Sequence, residues 1–441
     1  MKKIAIIGAG ISGLFFANLL KNSSDYDFTI FEKKKSIEAE DGYGIQLSVN
    51  SIKLLNEIGF SNVDKNQIYN PKKISFINAK NNEEICDLDI SKFNFEKRTT
   101  LDIEDGYGIQ LSVNSIKLLN QIGFKNINQN EIYNPKKINF INAKNNQKIC
   151  DLDISKLNYD DNKYTTLKRS VLLQFLINNI SKNKIRLNAE LKNLNYENKL
   201  TLSFSDNSTE EFDYLIVSDG VFSKTKSIIL NKNIKPEYFK SIAVRGNLND
   251  YPNEDISLYL GSNFHFVIYP VNQNKEFNFI SIIRKKLTRQ ELLNENLYVD
   301  EFFVKSIIQE LYNKTAIELD DKLKNIKSFP IYISKKLEIS DNKNIFFVGD
   351  ALFVTPPSFA QGASQSIEAS KELFDQIENN RDDYYEKRIK KLKSVNWRSK
   401  LNYFSFHLSN PLVTSFRNFI LKVLVKNNKF LNSYLGKIYR D

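Results

Sequence analysis

The chain has 441 residues, 41% of them apolar and 12% aromatic, which is too long for one hydrophobic core and rich enough to fill two. Its 63 Lys and Arg outnumber 52 Asp and Glu, for a net charge of +11, but they are spread along the chain, so no nucleic-acid partner is expected. Two cysteines and two histidines leave no Cys/His metal-ligand spacing, so no metal site is expected, and the cysteine count fits a reducing cytoplasm.

Lys3–Ile7 is an apolar run with the length of a buried parallel strand. Met1-Lys2-Lys3 and the apolar stretch to Leu20 resemble a secretory leader, yet the stretch holds three spaced glycines and no small-residue cleavage site. No other segment approaches the ~18 apolar residues of a membrane span. The reading is a soluble, cytoplasmic protein. The strand runs into Gly8-Ala9-Gly10-Ile11-Ser12-Gly13, which opens a helix to Leu20. A second strand, Phe28–Phe31, ends at Glu32, about twenty residues beyond Gly13. Gly8 permits a tight turn, Gly10 lets backbone approach a pyrophosphate, and Gly13 permits close helix–strand packing. The helix N-terminus offers free N–H groups to the phosphates, and Glu32 can accept from a ribose hydroxyl. Ser12 and Lys33 are counted with these as cofactor-binding candidates. Strand, glycines, helix, second strand and acid in order predict a bound dinucleotide.

An internal duplication follows. Residues 41–95 return as 105–159, an offset of 64, with 44 of 55 positions identical and Cys86 and Cys150 at equivalent places. Two copies are too few for a solenoid. Each reads as a glycine-rich turn, a helix (Val49 to Ile58 in the first copy) and a strand pair (around Ile74–Phe76 and Ile85–Leu88) turning at Asn81-Asn82 or Asn145-Asn146. One hairpin is expected to join a later sheet, and a fold with one slot must displace the other copy.

Further on, Thr165–Leu172 carries Arg169-Ser170-Val171-Leu172, an Arg-x-x-Leu sequence. Phe212–Val217 is a strand leading into Ser218-Asp219-Gly220. Ile256–Leu260, His265–Tyr269 and Phe277–Ile283 predict an antiparallel sheet within 226–334. Asn344–Val348 leads into Gly349-Asp350, and Pro356-Pro357-Ser358-Phe359-Ala360-Gln361-Gly362-Ala363 opens a helix. A strand ending in Gly-Asp aims a carboxylate beyond the carboxyl edge of the sheet, where open α/β sheets bind ligands.

These motifs, in this order, resemble the flavoprotein aromatic hydroxylases, the family of the p-hydroxybenzoate, salicylate and ubiquinone-pathway hydroxylases. The resemblance spans residues 1 to about 380. It implies an α/β fold, a Rossmann-like FAD-binding domain interleaved with a mostly antiparallel β-sheet substrate domain, plus C-terminal helices. The FAD domain would comprise 1–72, 160–225 and 335–380, the substrate domain 226–334 and the helices 381–441. Glu32 would then bind the adenosine ribose, Arg169 would lie on the flavin side, and Asp350 would hold the ribityl chain. The backbone of Gly362 and Ala363 would meet the flavin ring, with Gly349 in the turn before Asp350. Asp219-Gly220 would sit near the pyrophosphate and serve nicotinamide use, and Pro357 would lie beside the reacting flavin edge as the catalytic candidate. The implied chemistry is NADH or NADPH reducing FAD, then O2 giving a flavin hydroperoxide that hydroxylates a small phenolic, benzoate-like or quinone-precursor substrate. The alternatives are a flavoprotein reductase or dehydrogenase on the same fold, and an FAD-binding protein inactivated by the insert. The chain departs from the pattern at Phe353, where the family carries histidine, and at Lys226, where it commonly carries arginine.

His265, flanked by Phe264 and Phe266, reads as a structural histidine before a substrate contact, and Tyr269 as a core tyrosine before a phenol donor. Trp397 and the Tyr403–Phe406 run are expected to pack against the FAD domain. Phe406-His407-Leu408 and Arg417-Asn418 bear a faint likeness to the salicylate-hydroxylase branch. The basic, amphipathic tail from Leu412 to Tyr439 reads as docking on the protein itself, with weak membrane-surface contact as the alternative.

Overall fold

The computed structural model describes residues 1–21, 23–35, 107–159, 162–249, 251–317 and 322–439, together with the backbone of strands Lys73–Ile77 and Glu84–Asp89. The chain divides into two compact units, one of Met1–Ile37 with Ile103–Asp441 and one of Glu38–Asp102.

In the larger unit, five parallel strands lie in the order Ile185–Arg186, Tyr26–Phe31, Lys2–Ile7, Tyr214–Val217, Ile345–Phe347. Ile4, Ile6, Ile216 and Phe347 have no exposed surface, which explains why these strands read as continuous apolar runs rather than alternating ones. Helices Ile11–Leu20, Arg169–Asn178 and Gly362–Glu378 pack against this core. A three-stranded antiparallel sheet, Leu191–Tyr196, Leu200–Phe204 and Thr209–Phe212, was not anticipated. It stacks Phe204 on Phe31 with ring centroids 4.1 Å apart.

The second layer is a seven-stranded sheet in the order Lys324–Ile333, Glu237–Asn249, Glu276–Arg284, Phe264–Pro270, Ile256–Gly261, Lys137–Asn142, Gln147–Asp153. All pairings are antiparallel except that of Ile256–Gly261 with Lys137–Asn142. The three strands expected in this region are present, each slightly longer than its apolar run.

The edge hairpin comes from the second copy of the duplication. It turns at Asn145-Asn146, with Asn146 at φ 57°, a left-handed position asparagine tolerates. That copy also supplies strand Gly108–Leu111, paired with Thr165–Lys168, and helix Val113–Gln121, capped by the Ser112 hydroxyl accepting from the Ser115 amide. Gly108 donates its N–H to Asn278 Oδ1 at 2.8 Å, and a Cβ there would meet Asn278 Cβ at 2.6 Å. The slot therefore needs glycine.

In the smaller unit, Lys73–Ile77 and Glu84–Asp89 form the antiparallel pair expected of the first copy. The predicted helix from Val49 to Ile58 lies outside the described residues.

Helices Tyr384–Phe406 and Pro411–Leu424 and the short turns to Tyr439 close the chain. Trp397 and Phe404 are exposed, while the Tyr403 hydroxyl bonds Ser241 in the seven-stranded sheet. The expected packing of Trp397 and the Tyr403–Phe406 run on the nucleotide-side domain is thus corrected. The first half of their helix does pack on that domain, through Tyr384, Leu392 and the ion pairs of Arg388 and Lys391, while its second half turns to the seven-stranded sheet. No helix among the described residues is long and apolar enough to cross a membrane.

Candidate functional site

Four motif turns leave the carboxyl edge of the parallel sheet from neighbouring strands: Gly8–Gly13, Glu32, Ser218-Asp219-Gly220 and Gly349-Asp350. Small polar side chains bind them together. Ser218 Oγ donates to the Ile7 and Gly8 carbonyls, and Ser370 Oγ to the Ser12 carbonyl. A Cβ on Gly13 would lie 2.2 Å from the Gly8 carbonyl oxygen, and one on Gly349 would lie 2.1 Å from Ser12 Oγ. Both glycines are set by contact within the protein, and Gly8, at φ 101°, by conformation as well.

Gly10 and Gly362 are different. Neither has a positive φ, and a Cβ on either would meet no atom within 4 Å. Gly10 caps helix Ile11–Leu20 and Gly362 is the first residue of helix Gly362–Glu378; neither helix has a side-chain cap, so the first-turn N–H groups stay free for a ligand. Buried polar atoms without a protein partner lie on the same turns: Asp219 Oδ1 and Gln361 Nε2. Open space at two glycines, free helix N-termini and orphaned buried polar atoms fit a bound dinucleotide such as FAD. Glu32 receives the Ala9 N–H at 2.9 Å and the Lys34 N–H at 3.1 Å, which fixes the glycine loop and still leaves lone pairs free.

Arg169 and Asp350 are reached by solvent yet crowded by protein, as side chains lining a cleft are. Crowding pushes the Asp350 carboxyl up to about 6 against the pull of the Arg169 guanidinium, and lowers Arg169, with Arg245 adding repulsion. Burial likewise raises Asp219, eased by hydrogen bonds from Ser223 and Thr225. Burial lowers Lys226 to about 8; its Nζ donates to the Leu352 carbonyl at 2.9 Å, tying the Asp-Gly helix to the Gly-Asp turn. Lys33 is exposed, and no hydrogen bond or ion pair of its side chain is seen among the described residues.

Beyond Pro357 a cavity of about 480 Å³ opens between the seven-stranded sheet and the C-terminal helices. Its walls are apolar: Ile138, Phe140 and Leu152 from the second copy, Leu258 and Val267 from the sheet, and Leu421 from helix Pro411–Leu424. Arg417 is the one charged side chain lining it among the described residues. Arg417 is buried, is lowered to about 10 by that burial, and donates to the Ser405 carbonyl at 3.0 Å and to Asn418 Oδ1. The two histidines of the chain meet at this wall, His265 Nδ1 lying 2.7 Å from His407 Nε2, and burial lowers both. Tyr164, bonded to Gln110 at 2.7 Å, completes the polar lining nearby, whereas Tyr269 is buried in the sheet.

A model of an NAD(P)-binding Rossmann-like domain matches residues 6–39. Among solved structures, HpxO of Klebsiella pneumoniae complexed with FAD and uric acid is similar at TM-score 0.67 and 15% identity, covering 99% of this chain and 96% of its own. A salicylate hydroxylase substrate complex is similar at 0.64 and 14%, covering 100% and 97%. The 2,6-dihydroxypyridine-3-hydroxylase of Arthrobacter nicotinovorans is similar at 0.61 and 14%, covering 96% and 92%. The chain has their fold. A search of curated protein sequences finds no match.

Gly8, Gly10, Ser12, Gly13, Glu32, Asp219, Gly220, Gly349 and Asp350 lie together along one sheet edge. Arg169 joins them through its pull on Asp350, and Gly362 and Ala363 begin the helix beside Asp350. Pro357 belongs to the cavity wall. Sequence reasoning missed Gln110, Tyr164 and Asn402, and left Arg417 and His407 as a faint likeness. No periodic signal marks a residue whose neighbours come from other segments.

Proposed function

We propose that the protein is an FAD-dependent monooxygenase that uses NADH or NADPH and O2 to hydroxylate a small aromatic substrate. The observation that carries the reading is the pairing of two sites of opposite character: glycine turns with free N–H donors, and an apolar cavity lined by Pro357, which precedes Gly362 by five residues. When bound, FAD supplies hydride acceptance and oxygen activation, which no side chain here could perform.

The chain's own residues bind, orient and exclude water. The N–H groups at Gly10–Gly13 receive the pyrophosphate, Glu32 the adenosine ribose and Asp350 the ribityl hydroxyls, with Arg169 on the flavin side. The Gly362 and Ala363 N–H groups face the flavin ring. Asp219-Gly220 lies on the pyrophosphate side. Phe140, Leu258 and Val267, neighbours on one sheet face, press on one side of an aromatic ring, with Leu421 on the other, and keep water from it. Arg417 holds an acidic or carbonyl substituent of the substrate, since a buried guanidinium with unused N–H groups is offset best by an acceptor. His265 and His407, held neutral by burial, act as a hydrogen-bond pair at the wall rather than as a cation.

The similar structures support the reading: one is complexed with FAD and uric acid, and the others are salicylate and dihydroxypyridine hydroxylases. The test is nicotinamide oxidation by the FAD-loaded protein across a panel of phenols and aromatic acids, with product analysis by mass. Stimulated oxidation with a product heavier by one oxygen supports hydroxylation. Oxidation with no oxygenated product across the panel would refute it in favour of a reductase.

A further inference from the structure

Helix Pro411–Leu424 is apolar on two faces. Leu421 lines the cavity, while Leu412, Phe416, Phe419 and Val423 face outward, 82%, 64%, 64% and 50% exposed. Their spacing of four, three and four puts all four on one stripe of the helix. Trp397, Leu401 and Phe404 of the preceding helix are exposed as well. A grouped apolar surface of this kind marks an interaction site.

Charge says what covers it. Between residues 387 and 440 the sequence has 13 Lys and Arg and no Asp or Glu, so the even spread of charge seen over the whole chain fails at this end. Lys387 and Lys390 are paired with Asp383 and Glu386 at the start of their own helix, and Arg388 and Lys391 with Glu372 and Glu368 of helix Gly362–Glu378. Lys400, Lys422, Lys426, Lys429 and Lys437 are exposed and form no ion pair among the described residues. Lys422 and Lys426 border the apolar stripe. An outward apolar stripe bordered by unpaired lysines suits the headgroup and acyl boundary of an anionic bilayer, where one ring of contacts is apolar and the next is negative.

Trp397, Leu401, Phe404, Val413 and Phe416 are at once exposed and part of the cavity lining, so the cavity mouth opens within this same surface. We infer that the C-terminal helices dock the protein on an anionic lipid surface and that the cavity takes its aromatic substrate from the lipid phase. The substrate half of the inference rests on the proposed function; the docking half does not.

The test is co-sedimentation of the full-length, FAD-loaded protein with phosphatidylcholine vesicles, with and without phosphatidylglycerol. Leu412→Ser/Phe419→Ser/Val423→Ser and Lys422→Gln/Lys426→Gln serve as variants, none of the five residues lining the cavity. Expected is binding to the anionic vesicles alone, reversed by salt, weakened about fivefold for each lysine removed. The apolar triple variant should lose at least about tenfold while still binding FAD. Absence of binding to anionic vesicles overturns the inference, as does a triple variant that binds like the parent. A dimer that the triple variant dissolves, with no vesicle binding, also overturns it and assigns the face to a second copy. Because sedimentation reads no flavin chemistry, its failure is distinct from failure of the hydroxylase reading. The substrate half is tested by dissolving an active phenol in the anionic vesicles: turnover by the parent should exceed that of the triple variant, and equal turnover overturns it.

Discussion

Gly10→Ala separates folding from cofactor binding in one methyl group. The added Cβ meets no protein atom within 4 Å, and the backbone at φ −86° and ψ −176° is open to alanine. The fold loses only the difference between glycine and alanine at a helix N-cap, about 0.5–1 kcal/mol. The methyl instead enters the space through which a pyrophosphate must approach the free N–H groups of helix Ile11–Leu20. Losing one charge-assisted hydrogen bond there costs about 1.5–3 kcal/mol, a Kd for FAD weaker by roughly 10- to 150-fold. Gly13→Ala is the opposite case, since its Cβ would overlap the Gly8 carbonyl oxygen and Ser218 Oγ, a core overpacking of about 1–3 kcal/mol or more. Thermal melts of the apo-proteins and FAD titration by flavin fluorescence read the two effects apart. Gly10→Ala should melt near the parent and bind FAD poorly, whereas Gly13→Ala should melt lower. Parent-like FAD affinity in Gly10→Ala would refute the assignment of this turn to the pyrophosphate.

Three further outcomes follow from the same geometry. Deleting residues 38–101, one full repeat, should leave the melting temperature and FAD binding near the parent's, because the second copy supplies every described strand of the slot; an insoluble or flavin-free product would contradict this. Asp350 sits at about 6 in the fold against an ordinary 3.8, so the folded state holds the extra proton. Its contribution is full below about 4 and is lost as pH rises through about 6. Melting curves without FAD should therefore show the parent losing ground to Asp350→Asn across that window and running parallel above it; a constant difference would refute the raised carboxyl. Arg417→Met should leave the apo-protein about as stable as the parent, because a buried guanidinium with hydrogen bonds but no ion pair among the described residues is replaced by an apolar chain. It should raise KM for acidic aromatics by roughly 10- to 150-fold with little effect on neutral ones; equal effects on both would remove Arg417 from substrate recognition.

The glycine-lined cleft was legible because each of its parts is local. Strand Lys2–Ile7, the Gly8–Gly13 turn and Glu32 follow one another in sequence, and their spacing carries their purpose. Ser218-Asp219 and Gly349-Asp350 were legible for the same reason, each being the end of an apolar strand. The cavity was not, since Phe140, Val267, Pro357 and Leu421 come from four distant segments and each reads alone as an ordinary core residue. Nor could sequence choose between the two copies. Gln46, Ile74, Phe76 and Leu88 of the first match Gln110, Ile138, Phe140 and Leu152 of the second, so both carry the same lining. Connectivity favours the second only modestly, as pairing the first copy's strand with Thr165–Lys168 roughly doubles the intervening chain, about 0.6 kcal/mol of closure entropy. Trp397 and the Tyr403–Phe406 run were misplaced because an amphipathic pattern says that a face is buried without saying against which surface, and this helix changes surface midway.

The most direct test is the visible spectrum of the purified protein after incubation with FAD and a panel of phenols and aromatic acids, with NADPH and then NADH added under air. Flavin bands should remain with the protein on desalting, bleach with a nicotinamide when an aromatic substrate is present, and return with oxygen. A colourless protein that takes up no FAD would contradict the proposed function.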